Sequence, residues 1–195
     1  MKLAKLLLAV VGVAVLLGTL VASASARNFS VSEQRTTALW TRMNLEGGFG
    51  TVECEVKLSG SLHTRTATKT VNSLIGYITE GTVLRCSRGS ATINQASLPW
   101  HRRYRSFEGT LPNITGVSDT VTGVELTVRE PVFGVTCTVR REAGTIIIIY
   151  TYINGVLIRI DVIATIPCGS FTGGLSGSTN NVTSGSGTRI TTTLI

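Results

Sequence analysis

Beyond residue 26 the chain carries 28 Thr alongside many Val and Ile, and this density of β-branched side chains constrains its folding more than any other feature. Such side chains lose χ1 freedom in a helix and sit well on a pleated surface. The period agrees: Val52, Cys54, Val56 and Leu58 alternate with Glu53, Glu55 and Lys57, the pattern of a half-buried strand. Turn residues punctuate the chain at Glu46-Gly47-Gly48, Ser59-Gly60, Arg88-Gly89-Ser90, Leu111-Pro112-Asn113 and Ala143-Gly144. Strands are therefore expected near 29–44, 48–60, 62–70, 74–86, 90–95, 100–109, 117–129, 132–141 and 189–195, with Gly76 and Gly81 arguing against a helix in the fourth of these. Regular short strands bounded by turns predict an all-β chain, an antiparallel β-sandwich or closed β-barrel of about 8–10 strands. Disorder is excluded by a 43% hydrophobic and only 15% charged composition.

The clearest local element is a hairpin. Thr145 to Ile153 and Val156 to Ile166 are strand-like runs around Asn154-Gly155, the preferred pair for a two-residue type I′ turn. An unbroken register from that turn puts Ile147, Ile149, Thr151 and Ile153 on one face with Val156, Ile158, Ile160 and Val162. That face is expected to be core. Arg159 and Asp161 fall together on the other face, and an ion pair is the expected outcome. Residues 170–188 are rich in Gly, Ser, Thr and Asn and are expected to form a flexible loop or long connection. Arg189 to Ile195 is β-like and is expected to pair in a sheet.

The first 26 residues have the layout of an export signal. Lys2 and Lys5 precede an apolar run from Leu6 to Val21, and Ala24-Ser25-Ala26 offers the small-x-small pattern of a cleavage site. The run is shorter than the roughly 20 residues of a spanning helix, so residues 1–26 are expected to be removed, leaving one domain over 27–195. Loss of Lys2 and Lys5 lowers the net charge from +7 to +5. That charge is spread along the chain without a Lys/Arg block, so no nucleic-acid partner is expected. No other segment is long and apolar enough to span a membrane.

Cys54, Cys86, Cys137 and Cys168 all follow the export segment, and an even count in an oxidising compartment favours two disulfides. Three connectivities are open for four cysteines. The near-equal spacings, and the likeness of 49–54 to 133–137 and of 86–90 to 168–170, favour Cys54–Cys86 with Cys137–Cys168 and suggest two related halves. No C-x-x-C pair exists and only His63 and His101 offer imidazole ligands, so no metal site is expected. Phosphate-loop and dinucleotide fingerprints are absent, and no cofactor is expected.

The most unusual segment is Leu98-Pro99-Trp100-His101-Arg102-Arg103-Tyr104-Arg105-Ser106-Phe107. On a strand, His101, Arg103, Arg105 and Phe107 share one side, and Trp100, Arg102, Tyr104 and Ser106 the other. Arginine forks suit carboxylates and phosphates, and interleaved aromatics stack on rings. Trp100, His101, Arg103, Tyr104 and Arg105 are thus the candidate ligand-binding residues. The simpler alternative is a strand with a charged outer face and Trp100 and Tyr104 packed inside. For hydrolysis the residue types exist without a sequence arrangement: His63 or His101 as base, Asp119 or Asp161 as orienter, many serines, and no G-x-S-x-G elbow. Glu53 and Glu55 share a strand face, as a glycosidase pair or as a solvent face.

Gly76-Tyr77-Ile78-Thr79, Leu98-Pro99-Trp100-His101 and Ser106-Phe107-Glu108-Gly109-Thr110-Leu111-Pro112-Asn113-Ile114 resemble a group of short secreted proteins of high-GC Gram-positive bacteria, over roughly residues 48 to 168. The resemblance implies export and an all-β domain. It implies no activity and assigns no residue a role. The leading expectation is an exported, non-enzymatic binding or structural module of unknown ligand, secreted or associated with the cell envelope, with the cell envelope or an anionic polymer as candidate partner. The alternatives are a secreted hydrolase using His101 with a nearby carboxylate, and a small lipophilic-ligand carrier, which needs a hollow apolar barrel.

Overall fold

A computed structural model of the protein describes residues 28–47, 50–110, 113–132, 134–140, 145–168 and 171–195. The expected export signal at 1–26 lies outside the described residues. The strands are β1 (Asn28–Val31), β2 (Arg35–Gly47), β3 (Gly50–Leu62), β4 (Thr66–Thr68), β5 (Leu74–Cys86), β6 (Ser90–Ile93), β7 (Trp100–Thr110) and β8 (Asn113–Thr122). They continue with β9 (Leu126–Arg129), β10 (Thr136–Val139), β11 (Thr145–Ile153), β12 (Val156–Cys168), β13 (Phe171–Thr179), β14 (Val182–Ser184) and β15 (Thr192–Leu194). One 3₁₀ turn, Gln95–Ser97, interrupts them.

Of the two architectures open from sequence, the chain adopts the closed one. The largest sheet runs β13-β12-β11-β8-β7-β5-β3-β2, and β13 pairs back onto β2, closing an antiparallel ring. β14 continues along the same edge of β2 beyond β13. Closure removes the free sheet edges that invite aggregation. Two three-stranded sheets complete the fold, β15-β1-β4 and β10-β9-β6. Phe29, Val31, Ala67 and Leu194 of the first sheet, and Ile93, Leu126, Val128 and Val139 of the second, join one continuous core with the inward residues of the ring. Each small sheet therefore plugs the barrel interior, from opposite ends of β2.

The expected loop at 170–188 is corrected: β13 spans Phe171–Thr179 and is the strand that closes the ring. Its glycines are the reason. A Cβ on Gly173 would stand 2.4 Å from the Glu46 carbonyl oxygen, and one on Gly177 would press the Trp40 ring at 3.2 Å. Small residues here let two backbones meet at the seam, and the same composition mimics a linker in the sequence.

The hairpin forms around Asn154-Gly155 as expected, with Ile153 opposite Val156. Its faces do not follow the unbroken register. A bulge leaves Ile158 without a partner between the Tyr152–Leu157 and Thr151–Arg159 pairs. One extra residue exchanges the faces of one strand relative to the other. Ile146, Ile148, Tyr150 and Tyr152 consequently point into the barrel beside Ile160, Val162 and Ala164, while Ile147, Ile149, Thr151 and Ile153 turn outward.

Both expected disulfides are present. Cys54 and Cys86 are direct cross-strand partners in the wall, whereas Cys137 joins β10 of a plug to the end of β12. The similar spacing in sequence thus does not extend to similar surroundings. Closing loops with separations of 32 and 31 residues constrains the unfolded chain by roughly 3–4 kcal/mol each.

Candidate functional site

β7 places the unusual segment in the wall. Trp100, Arg102 and Tyr104 point into the barrel and are buried, and His101 and Arg103 point out. The Trp100 indole donates from Nε1 to Ser97 Oγ at 2.8 Å, and the Tyr104 ring lies 6.2 Å from that of Phe29. These two aromatics are packing residues of the interior, away from the outer surface that carries the other three candidates. A bulge between Tyr104 and Ser106 interrupts the alternation, so Arg105 has no cross-strand partner on β8 and is exposed.

On the outer wall, β3, β5 and β7 lie side by side, with Ser61 opposite Tyr77 and Tyr77 opposite His101. This brings together three rings that are scattered in sequence. The His63 ring meets Tyr77 edge-on at 4.7 Å, and Tyr77 meets His101 at 5.3 Å. Beside them Arg103 donates from Nη1 to the Asn72 carbonyl at 3.0 Å, which fixes its guanidinium against the wall. Farther along β7, Lys69 sits 4.1 Å over the Phe107 ring. The His63, Tyr77 and His101 rings and Arg103 thus share one patch of the outer wall, while Phe107 packs against the core. Tyr77 was not singled out as a binding residue from sequence, and His63 only as an imidazole ligand or a base. Tyr77 was one step away, since it takes the position opposite His101 once β5 and β7 are paired.

The interior holds a second polar constellation. Arg102 donates from Nε and Nη2 to Asp119 Oδ2 of β8, at 2.9 and 2.5 Å. The guanidinium also stands 5.1 Å over the Tyr150 ring. Asp119 is 0% exposed. Burial pushes the Asp119 carboxyl above its ordinary range, and the charge and hydrogen bonds of Arg102, with a hydrogen bond from the Tyr150 hydroxyl, pull it back in part. Burial alone would disfavour the Arg102 cation, but Tyr150, Asp119 and Tyr152 together hold it firmly charged. Burial likewise raises Tyr150, and pushes Tyr152 up to about 12. A bidentate pair enclosed this way is a structural element first.

The geometry separates the residues that hydrolysis would need. Asp119 faces the interior and His101 the exterior of the same wall. Asp161 is tied to Arg159 at 2.9 Å on β12. Glu53 and Glu55 lie on the outer wall, engaged with Arg42 at 3.6 Å and Arg85 at 2.6 Å. Among the described residues no group of three or more His, Cys, Asp or Glu is placed to hold a metal ion. A wholly apolar void lies toward the β6–β9–β10 plug, between Met43, Ile78, Trp100, Leu126, Ile148 and Leu175. It amounts to about 40 Å³, room for a few waters or methyl groups. No described helix is long and apolar enough to cross a membrane. Comparisons with protein-family models, with curated proteins and with solved structures find no match for the chain.

Proposed function

We propose that the protein is an exported, non-enzymatic binding module of the cell envelope. Its ligand surface is the outer face of β3, β5 and β7, and its ligand is an anionic polymer that carries rings. The observation that carries this reading is the edge-to-face His63–Tyr77–His101 ring cluster on the outer wall, with Arg103 anchored beside it. Rings offer flat apolar area to sugar faces or other rings, and a fixed guanidinium offers paired donors to a carboxylate or phosphate. Two disulfides suit an oxidising compartment. The wall buries mostly aliphatic and aromatic side chains inside and, apart from the isoleucines of β11 and β12, presents mainly polar ones outside, unlike a barrel that faces lipid. The carrier reading gains little from a void of about 40 Å³, against the several hundred typical of small-molecule sites.

The test is retention of the mature protein on purified cell-wall polymer. Tyr77→Ala with His101→Ala, and separately Arg103→Ala, should each weaken retention about tenfold or more, the equivalent of roughly 1.4 kcal/mol. The thermal midpoint should be nearly unchanged. Unaltered retention in both variants overturns the proposal.

A further inference from the structure

The outer wall on the other side of β7 is furnished differently. Cross-strand pairing aligns its side chains in three rows running from β12 through β11 and β8 to β7. The first row is Ile163, Ile147, Thr120 and Arg103; the second is Asp161, Ile149, Ser118 and Ser106; the third is Arg159, Thr151, Gly116 and Glu108. Large residues thus stand on the β12–β11 side, with Ile163 52% exposed, and small ones on β8. The small side is a hollow of about 110 Å³ among Ser106, Phe107, Glu108, Gly116, Ser118 and Ile149, with Arg105 at its rim. Its floor is closed by the Ser106–Ser118 hydroxyl pair at 2.6 Å, which leaves those serines satisfied.

Charge is distributed with the same polarity. Arg159 and Asp161 mark the β12 border, and Glu108 and Arg105 mark the β7 border. Among the described residues Arg159 donates only from Nε, to Asp161 Oδ2, which leaves its terminal nitrogens for a further partner. A two-fold axis lying in this face, along the strands and between β11 and β8, superimposes β12 of one copy on β7 of the other and keeps each row on itself. Ile149 then enters the partner's Ser118 hollow. Arg159 meets Glu108 of the second copy, Asp161 meets its Arg105, and Ile163 lies on the aliphatic stem of its Arg103. An isologous contact must be self-complementary in this way. From these rows we infer that the β7–β8–β11–β12 face is the interface of a homodimer, with a second copy of this chain as its occupant. Four strands at about 4.8 Å and three rows at about 7 Å give a footprint of about 400 Å² per copy, below the standard size of specific interfaces and in the range of weak, transient ones, so association belongs in the micromolar range or weaker.

Sedimentation velocity of the mature protein over a concentration series up to about 1 mM tests this. A reversible monomer–dimer equilibrium is expected. Ile163→Lys, which opposes the partner's Arg103, should weaken dimerisation at least tenfold, and so should Glu108→Arg, which opposes the partner's Arg159. Glu108→Arg combined with Arg159→Glu should restore most of it. Far-UV circular dichroism confirms that each variant is folded, and all three sites lie on the outer wall, where substitution spares the core. A protein monomeric throughout, an assembly other than a dimer, variants that dimerise like the parent, or a double variant without recovery each overturns the inference.

Discussion

Replacing Arg102 by Met removes one partner of the enclosed ion pair and keeps most of the side-chain volume. The consequence follows from where Asp119 sits. It is 0% exposed, takes two hydrogen bonds from Arg102 on one oxygen, and has the Tyr150 hydroxyl as a further, neutral donor. Without Arg102 the buried carboxylate loses its countercharge and keeps only that neutral donor, a situation that costs about 3–5 kcal/mol. For a domain of this size each kcal/mol moves the midpoint by about 2–4 °C, so Arg102→Met should lower it by about 6–20 °C in differential scanning calorimetry. The pH dependence identifies the cause. Burial already raises the Asp119 carboxyl and Arg102 restrains it, so loss of Arg102 raises it further above its unfolded value of about 3.9. A group raised in the folded state brings no penalty below the unfolded value, and a growing one as pH rises toward the folded value. The deficit of Arg102→Met relative to the parent should therefore shrink as pH falls from neutral toward about 4. A packing defect would give a deficit independent of pH. Arg102→Met combined with Asp119→Leu should recover most of the loss, because an apolar pair can replace a buried ionic one at little cost. A deficit that does not respond to pH, or a double variant as unstable as the single one, refutes the reasoning.

Two further outcomes bear on the closed ring and its interior. Gly173→Ala should destabilise by about 1–3 kcal/mol through overpacking against the Glu46 carbonyl at 2.4 Å, while Gly174→Ala, whose nearest atom is a carboxylate oxygen at 3.5 Å, should cost little; urea titration compares them, and equal effects would argue against a tight seam. Burial raises the phenols of Tyr104, Tyr150 and Tyr152, the last up to about 12. Their stabilising contribution is complete below the unfolded value of about 10 and is lost as pH climbs through the folded values. Absorbance titration should show these three of the four tyrosines ionising only together with alkaline unfolding; ionisation of all four in the intact fold near pH 10 would count against the enclosed cluster.

The strand content was legible because β-branched composition and alternation report on the backbone directly. So was the Cys54–Cys86 and Cys137–Cys168 pairing, through matched spacing. Register was legible only up to the first irregularity. The Asn154-Gly155 turn fixed the hairpin, but the bulge at Ile158 responds to packing of Tyr150 and Tyr152 inside the barrel, and no local signal marks it. β13 was hidden because the reason for its glycines is a neighbour, the β2 backbone, distant in sequence. The site divided along the same line. Alternation along 100–105 correctly split His101 and Arg103 from Trp100, Arg102 and Tyr104. It could not show that Arg102 meets Asp119, or that His101 meets Tyr77, since both contacts cross between strands.

The barrel is plugged at both ends and filled within, so the proposed recognition falls to its outer wall. β7 divides that wall. Toward β5 and β3 lie the rings and cations, and toward β8, β11 and β12 lie the isoleucines and the opposed charges. In the proposed dimer β7 forms the rim of the contact, so the two ring clusters emerge on opposite sides of it and stay open to solvent. A repeating polymer could then engage both copies at once. Linking two modest sites in this way raises retention by about 10²–10⁴ without any new contact, provided the polymer can span them. In the proposed reading, two weak sites joined in this way would suffice for firm attachment to a polymeric envelope. For the same reason a small interface can matter to function even though it contributes little to stability.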